Sequence, residues 1–263
     1  MKLSVSNIAW REEQDEEVFA WMKEYGYAGL EIAPTRIFPE NPYDKLTDAK
    51  NWAERLKADY GFSVPSMQSI WYGMPQRIAG SPEERAALYD YTEQALDFAA
   101  ACRCRNLVFG CPKNRVVSGE EDIPVNEQFL WDIAEAAEKR QVIIGLEANP
   151  PVYQTNYINT TSQAVEVLRR LNHPALKLNL DLGTILANQE SLDVVENNVD
   201  LICHIHISEP GLKPVKKRGL HRQLKTILEA ENYQGFVSIE MGQTDDINSV
   251  EDVLKYVREV FGS

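Results

Sequence analysis

Short apolar runs alternate with stretches of helical spacing along this whole chain, and that alternation narrows the fold more than any other feature. Strand-like runs occupy residues 3–9, 27–32, 62–70, 106–109, 142–149, a run ending at Asp181, 201–207 and 236–241. Between them, apolar residues fall three and four apart. Val18, Trp21, Met22 and Tyr25 precede a stop at Gly26, and Ala49, Trp52, Ala53, Leu56 and Tyr60 precede a stop at Gly61. Ser81-Pro82-Glu83-Glu84 reads as a helix start with Ser as N-cap, Pro at the first position and Glu closing a capping box. Ser249 and Asp252 suggest a cap for the last helix. Regular β-then-α alternation implies a parallel sheet.

Eight such units in 263 residues suit one closed (β/α)8 barrel, the TIM-barrel architecture, spanning residues 1–263 as a single domain. The competing doubly wound sheet usually carries a Gly-rich phosphate turn after its first strand, and Asn7-Ile8-Ala9-Trp10 stands there instead. A composition of 44% hydrophobic and 25% charged residues supports a sizeable core. A formal net charge of -13 argues against nucleic acid or an anionic membrane as partner. No run approaches the roughly 18 apolar residues of a span, and the first residues lack a signal-like apolar stretch, so a soluble cytoplasmic protein is expected. Cys102, Cys104, Cys111 and Cys203 are too few and too scattered for a disulfide framework and read as free thiols.

The chemistry gathers on the last four strands. V-I-I-G-L-E-A-N leads from a buried-looking strand into Glu147, K-L-N-L-D ends at Asp181, H-I-H-I-S presents His206, and F-V-S-I-E ends at Glu240. In a barrel the C-terminal ends of the strands form one rim, so these four converge. Three carboxylates there repel one another unless a divalent cation neutralises them. Oxygen ligands with one imidazole suit Mn²⁺, Mg²⁺, Co²⁺ or Zn²⁺. His204 lies on the same strand face as His206, since side chains repeat every two residues, and is assigned to the core beneath the site. Asn179 and Asp181 pose the same choice, and charge favours Asp181.

With those residues in place, the chain resembles the xylose isomerase-like barrels, in particular the sugar phosphate isomerase/epimerase group. The ketose 3-epimerases are relatives, and the AP endonucleases more distant ones. G-Y-A-G-L-E-I-A-P-T, S-M-Q-S-I, L-E-A-N-P-P, H-I-S-E-P and G-F-V-S-I-E-M carry the likeness over essentially the whole length. The resemblance implies one divalent metal ion on Glu147, Asp181, His206 and Glu240, with Glu147 and Glu240 also the acid/base pair. Such a metal would acidify the C–H beside a carbonyl and stabilise the enediolate. Return of the proton to the other face epimerises, and return to the neighbouring carbon isomerises. The implied partner is a small sugar, sugar phosphate or polyol, with a homo-oligomer left open.

Two positions depart from the ketose epimerases. Where those enzymes have a His after the Asp strand, this chain has Thr184, and where they have an Arg after the metal His, it has Leu212. His221 and Arg222 are candidates to fold over the site in compensation, or else a polar helix start. Glu31 and Gln68 end strands two and three and are candidates for sugar hydroxyls or for structural hydrogen bonds. Asn149, just past Glu147, is a further substrate-binding candidate. Lys113 and Arg115 follow strand four and suit a phosphate or carboxylate, or else are solvated loop charge. Trp10, Trp71 and Tyr72 are placed to stack on a sugar ring or to pack the barrel mouth. The extra His ligands of the endonucleases are absent, with Gln68, Gly110 and Thr184 at the relevant places. Besides the isomerase or epimerase, a metal-dependent dehydratase of a keto-polyol and a non-catalytic sugar- or metal-binding barrel remain as alternatives.

Overall fold

Seven parallel strands pair in the order β2-β1-β7-β6-β5-β4-β3 in the computed structural model, which describes residues 1–262. They are β1 (Lys2–Ser6), β2 (Gly29–Glu31), β3 (Asn106–Phe109), β4 (Ile143–Leu146), β5 (Leu176–Asp181), β6 (Ile202–Ile207) and β7 (Phe236–Ile239). The eighth staff of the barrel is residues 63–68, and it is not a regular strand. Single parallel bridges join Gly29 to Ser63, Ile32 to Met67 and Met67 to Leu107. The amide of Leu30 donates to Ser63 O and that of Gln68 to Ile32 O, while Met67 N donates to Asn106 O on the opposite edge. This segment therefore closes the sheet between β2 and β3. Pro65 has no N–H to add to the ladder, which is why the expected strand over residues 62–70 is reduced to bridges.

The principal helices are α1 (Asp15–Glu24), the short α2 (Pro34–Ile37), α3 (Leu46–Tyr60), α4 (Pro82–Ala101), α5 (Asp122–Lys139), α6 (Thr161–Leu171), α7 (Leu182–Asn188), α8 (Asp193–Glu196), α9 (Gly219–Ala230) and α10 (Asn248–Phe261). The expected box opens α4: Ser81 N donates to Glu84 Oε2 at 2.9 Å and Glu84 N to Ser81 Oγ at 3.3 Å, with Pro82 at the first turn. Gly61 ends α3 in the left-handed region at φ 81°. The last helix departs from expectation. It begins at Asn248, and Ser249 Oγ donates to Asp246 O instead of capping it. Asp246 Oδ1 accepts the Asn248 amide. The sequence pattern also passed over α7, which starts directly after β5 with Asp181 as its N-cap.

The barrel interior holds more than branched aliphatics. Ser4, Ser6, Glu31, Ser66, Asn106, Asn179, His204, His206 and Ser238 are all buried. Burying polar side chains is costly where they find no partner, as at Ser4 Oγ, Asn179 Oδ1 and Ser238 Oγ, and less so where they satisfy one another. Asn106 donates to Ser66 Oγ at 2.9 Å and Gln68 to Ser6 Oγ at 2.7 Å. Among the described residues no helix is long and apolar enough to cross a membrane.

Candidate active site

Register sets the site. Pairing between β5 and β6 runs Leu178 to Ile202 and then jumps to Asn179 with His204, so that Asp181 lies beside His206. The bulge puts one extra residue, Cys203, on β6. On the other side His206 pairs with Ser238 and Ile207 with Ile239, so Glu240 follows directly at the rim. Glu147 stands one residue beyond β4. Ligand atoms of Glu147, Asp181, His206 and Glu240 consequently all lie within 4.8 Å of one another.

Each group is held differently. Glu147 Oε1 accepts from Asn179 Nδ2 at 2.8 Å and faces His206 Nδ1 at 3.1 Å, while its Oε2 accepts from Asn149 Nδ2 at 2.8 Å. Gly110 is needed opposite, because a Cβ there would lie 2.9 Å from Glu147 Oε2. Asp181 accepts the amides of Gly183 and Thr184 and the hydroxyl of Ser208. Among the described residues Glu240 has one partner, His206 Nδ1 at 3.3 Å. Burial pushes the Asp181 carboxyl up, reinforced by the charge of Glu147. Burial likewise pushes Glu240 up, with Asp181 and Glu31 adding to it. Burial alone would lower His206, but Glu240 and Glu31 outweigh it and hold the imidazole well above its ordinary value. Three crowded carboxylates around one imidazole fit a divalent cation in both charge and donor chemistry.

Several residues lie elsewhere than the sequence suggested. Glu31 does not line the cavity. It is fully buried below His206, where its carboxylate takes Gln68 Nε2 at 3.0 Å, His204 Nε2 at 2.7 Å and His206 Nε2 at 3.0 Å. This leaves His206 Nδ1 facing the carboxylates, the way a metal-binding imidazole is oriented. Burial raises Glu31, but His206 and His204 outweigh it and hold the group well below the carboxylate range. Arg115 is not loop charge or an anion site. It is 1% exposed, and its guanidinium donates to the carbonyls of Gly110, Glu147, Tyr157 and Ile158 and to Asn149 Oδ1. It thereby locks the loops after β3 and β4 together. Trp10 is buried, with its indole N–H on Asp15, and takes no part in the cavity.

His221 does not fold over the site either. It is buried within α9, with Nδ1 2.8 Å from Tyr256 Oη and Nε2 without a partner. Burial lowers its pKa to about 4. Between pH 6.5 and 4 the unfolded chain therefore binds a proton that the folded chain refuses, and stability falls on acidification through that window. The loss is at most about 3 kcal/mol, and it levels off below the folded value. Thermal unfolding of wild type and His221→Phe from pH 7 to pH 4.5 is expected to show a smaller decline in the variant. An equal decline would remove His221 as the source.

The cavity above the carboxylates has a volume of about 610 Å³. Gln68, Lys113, Asn149, Trp71 and Tyr72 line it as candidates from the sequence, and Leu212 lines it where the epimerases have Arg. Thr184 Oγ1 is engaged beneath it, 2.7 Å from Ala148 O and 2.9 Å from Asp181 Oδ2. Tyr153 and Glu209 are among the cavity residues that escaped the sequence reading. Tyr153 Oη accepts the Gly211 amide at 2.9 Å, tying the loop after β4 to the loop after β6. Glu209 is buried in the cavity wall and clamped by Arg218 Nε at 2.6 Å and Nη2 at 2.5 Å. The Glu in H-I-S-E-P was the available signal for the second; Tyr153 left none.

Residues 19–260 match the family model described as xylose isomerase-like TIM barrel. No curated protein matches the chain in sequence. Among solved structures, a 3-keto-D-glucoside 4-epimerase from E. coli is 22% identical with a TM-score of 0.79, covering 98% of this chain and 99% of its own. A D-psicose 3-epimerase from Clostridium cellulolyticum H10, crystallised with D-tagatose, is 17% identical with a TM-score of 0.79 over 100% of both chains. A probable 3-DHS dehydratase from Bacillus anthracis is 17% identical with a TM-score of 0.69, covering 100% of this chain and 99% of its own. At such identities the likeness is one of fold.

Proposed function

The chain belongs to the xylose isomerase-like TIM barrel family, and from that premise we propose that it is a divalent-metal-dependent isomerase or epimerase of a sugar or sugar-like polyol. The observation that carries the reading is the meeting of Glu147 and Glu240, from the ends of β4 and β7, on the one imidazole of His206. Glu147, Asp181, His206 and Glu240 would hold the cation, whose role is to polarise the substrate carbonyl and so acidify the adjacent C–H.

The protein's own groups then move the proton. Glu147 is an acceptor braced by Asn149 and Asn179, an alignment suited to taking a proton from carbon. Glu240, which meets His206 Nδ1 from the end of β7, is placed to return one. For a substrate of the opposite configuration the roles exchange. Asn149 and Asn179 orient without titrating, and Arg115 fixes the loop that carries Asn149. Trp71 and Leu212 give the cavity walls apolar surface that limits water near the reacting carbon.

The test is isotopic. Incubated with ketoses in D₂O, the enzyme is expected to place deuterium on the carbon beside the carbonyl with no loss of water. An enone absorbance would overturn the reading in favour of the dehydratase. Chelation by EDTA is expected to abolish exchange, and Mn²⁺, Mg²⁺, Co²⁺ or Zn²⁺ to restore it. Exchange that survives exhaustive chelation would overturn the metal assignment.

A further inference from the structure

The wall and mouth of the cavity carry information that the proton-transfer chemistry does not use. Anion recognition is best served by a free Arg fork, by clustered Lys or by uncapped backbone amides. Arg115 is spent on four carbonyls and Asn149 Oδ1, and Arg218 is spent on Glu209. At the rim, the first amides of α7 are taken by Asp181, and Thr160 and Gln163 form a capping box at the start of α6. Among the described residues, four carboxylates line the cavity (Glu147, Asp181, Glu209 and Glu240) against a single cation, the exposed Lys113. With a divalent cation on Glu147, Asp181 and Glu240 and Arg218 on Glu209, the lining is close to charge balance, and a phosphate would find one flexible ammonium, Lys113, to meet it.

The mouth is apolar instead. Tyr72 and Val152 are each 72% exposed, the most exposed large hydrophobic side chains among the described residues, and both line this cavity. They come from different loops, after residues 63–68 and after β4. Lining one cavity from two loops, these two side chains offer a bound ligand apolar contact surface. A volume of about 610 Å³ falls within the roughly 300–1,000 Å³ that accommodates drug-sized ligands, well beyond one monosaccharide ring.

We infer that the substrate is an uncharged keto-sugar carrying a second ring in glycosidic linkage, with the reacting unit over Glu147 and Glu240 and the second ring against Tyr72 at the mouth. This rests on the reading of the cavity as a sugar site. An aromatic face offers the C–H face of a pyranose an apolar contact without competing for its hydroxyls.

Equilibrium binding to the metal-loaded protein tests it with D-fructose, D-fructose 6-phosphate and the four reducing glucosyl-fructoses linked through O3, O4, O5 and O6. At least one glucosyl-fructose is expected to bind about tenfold tighter than fructose, the equivalent of about 1.4 kcal/mol, and fructose 6-phosphate to bind more weakly than fructose. Tyr72→Ala, at an exposed position where folding is not at stake, is expected to cut the disaccharide-to-monosaccharide ratio to less than about threefold. Tighter binding of the phosphate would overturn the uncharged assignment. Absence of any gain with all four disaccharides, or an undiminished ratio in Tyr72→Ala, would overturn the second-ring subsite. Because the readout is binding, a protein that ranks these ligands as expected yet exchanges no deuterium would overturn the proposed reaction and leave the subsite standing.

Discussion

Glu147→Gln and Glu240→Gln are each expected to lower kcat by about three orders of magnitude or more, since acid/base groups contribute roughly 10²–10⁴ and both carboxylates would also lose charge toward the cation. Their side effects should differ. Glu147 accepts from two amides, and the Gln amide would face Asn149 Nδ2 with a donor where an acceptor stood. Asn149 cannot simply flip, because its Oδ1 accepts from Arg115. A cost of about 1–3 kcal/mol in stability is therefore expected for Glu147→Gln, the range for a buried group left unpaired. Glu240 has only His206 as partner and crowds other acids, so Glu240→Gln should fold as well as the parent. The decisive readout is deuterium exchange from each of two epimeric substrates. With one epimer, exchange should survive in Glu240→Gln and vanish in Glu147→Gln, and with the other epimer the pattern should reverse. If either variant retains exchange and turnover with both epimers, the two-carboxylate mechanism is wrong.

The positions of those two residues were legible because a carboxylate at the end of a buried strand has few destinations. The same reasoning placed Asp181 and His206, and the geometry gathers all four. What sequence pattern could not convey is direction. Glu31, Arg115 and His221 have the right chemistry for a substrate site, and all three point into the protein, where hydrogen-bond partners or neighbouring side chains enclose them. Glu31 did leave a signal. Two histidines on one face of a buried strand need an acceptor beneath them, and Glu31 is the acid in the short run G-L-E-I. The register shift between Leu178 and Asn179 left none, yet without it Asp181 would not lie beside His206. Residues 63–68 read as a strand from sequence because alternation of side chains survives where Pro65 has removed the ladder.

The buried triad supplies the largest expected effect on stability. Glu31 is wholly enclosed and meets three donors, Gln68 Nε2, His204 Nε2 and His206 Nε2. Desolvating that carboxylate is costly, and the charge on His206 together with two imidazole hydrogen bonds offsets the cost. Glu31→Ala keeps the donors buried and removes their acceptor. Breaking a buried pair from one side costs about 3–5 kcal/mol, so a fall in Tm of about 6–20 °C is expected for a chain of this length. Glu31→Gln should lie between, because its carbonyl oxygen can take the Oε2 position that both imidazoles share, while its amide nitrogen then meets Gln68 Nε2, another donor, head-on. Both variants also free the His206 ring to rotate, and loss of such an orienting partner typically weakens metal affinity by about 10–100-fold. Thermal unfolding in the presence of EDTA isolates the first effect and metal titration the second. A Glu31→Ala protein whose Tm stays within about 2 °C of wild type would mean that the triad is rebuilt from other groups. If metal affinity held as well, His206 would not owe its orientation to Glu31.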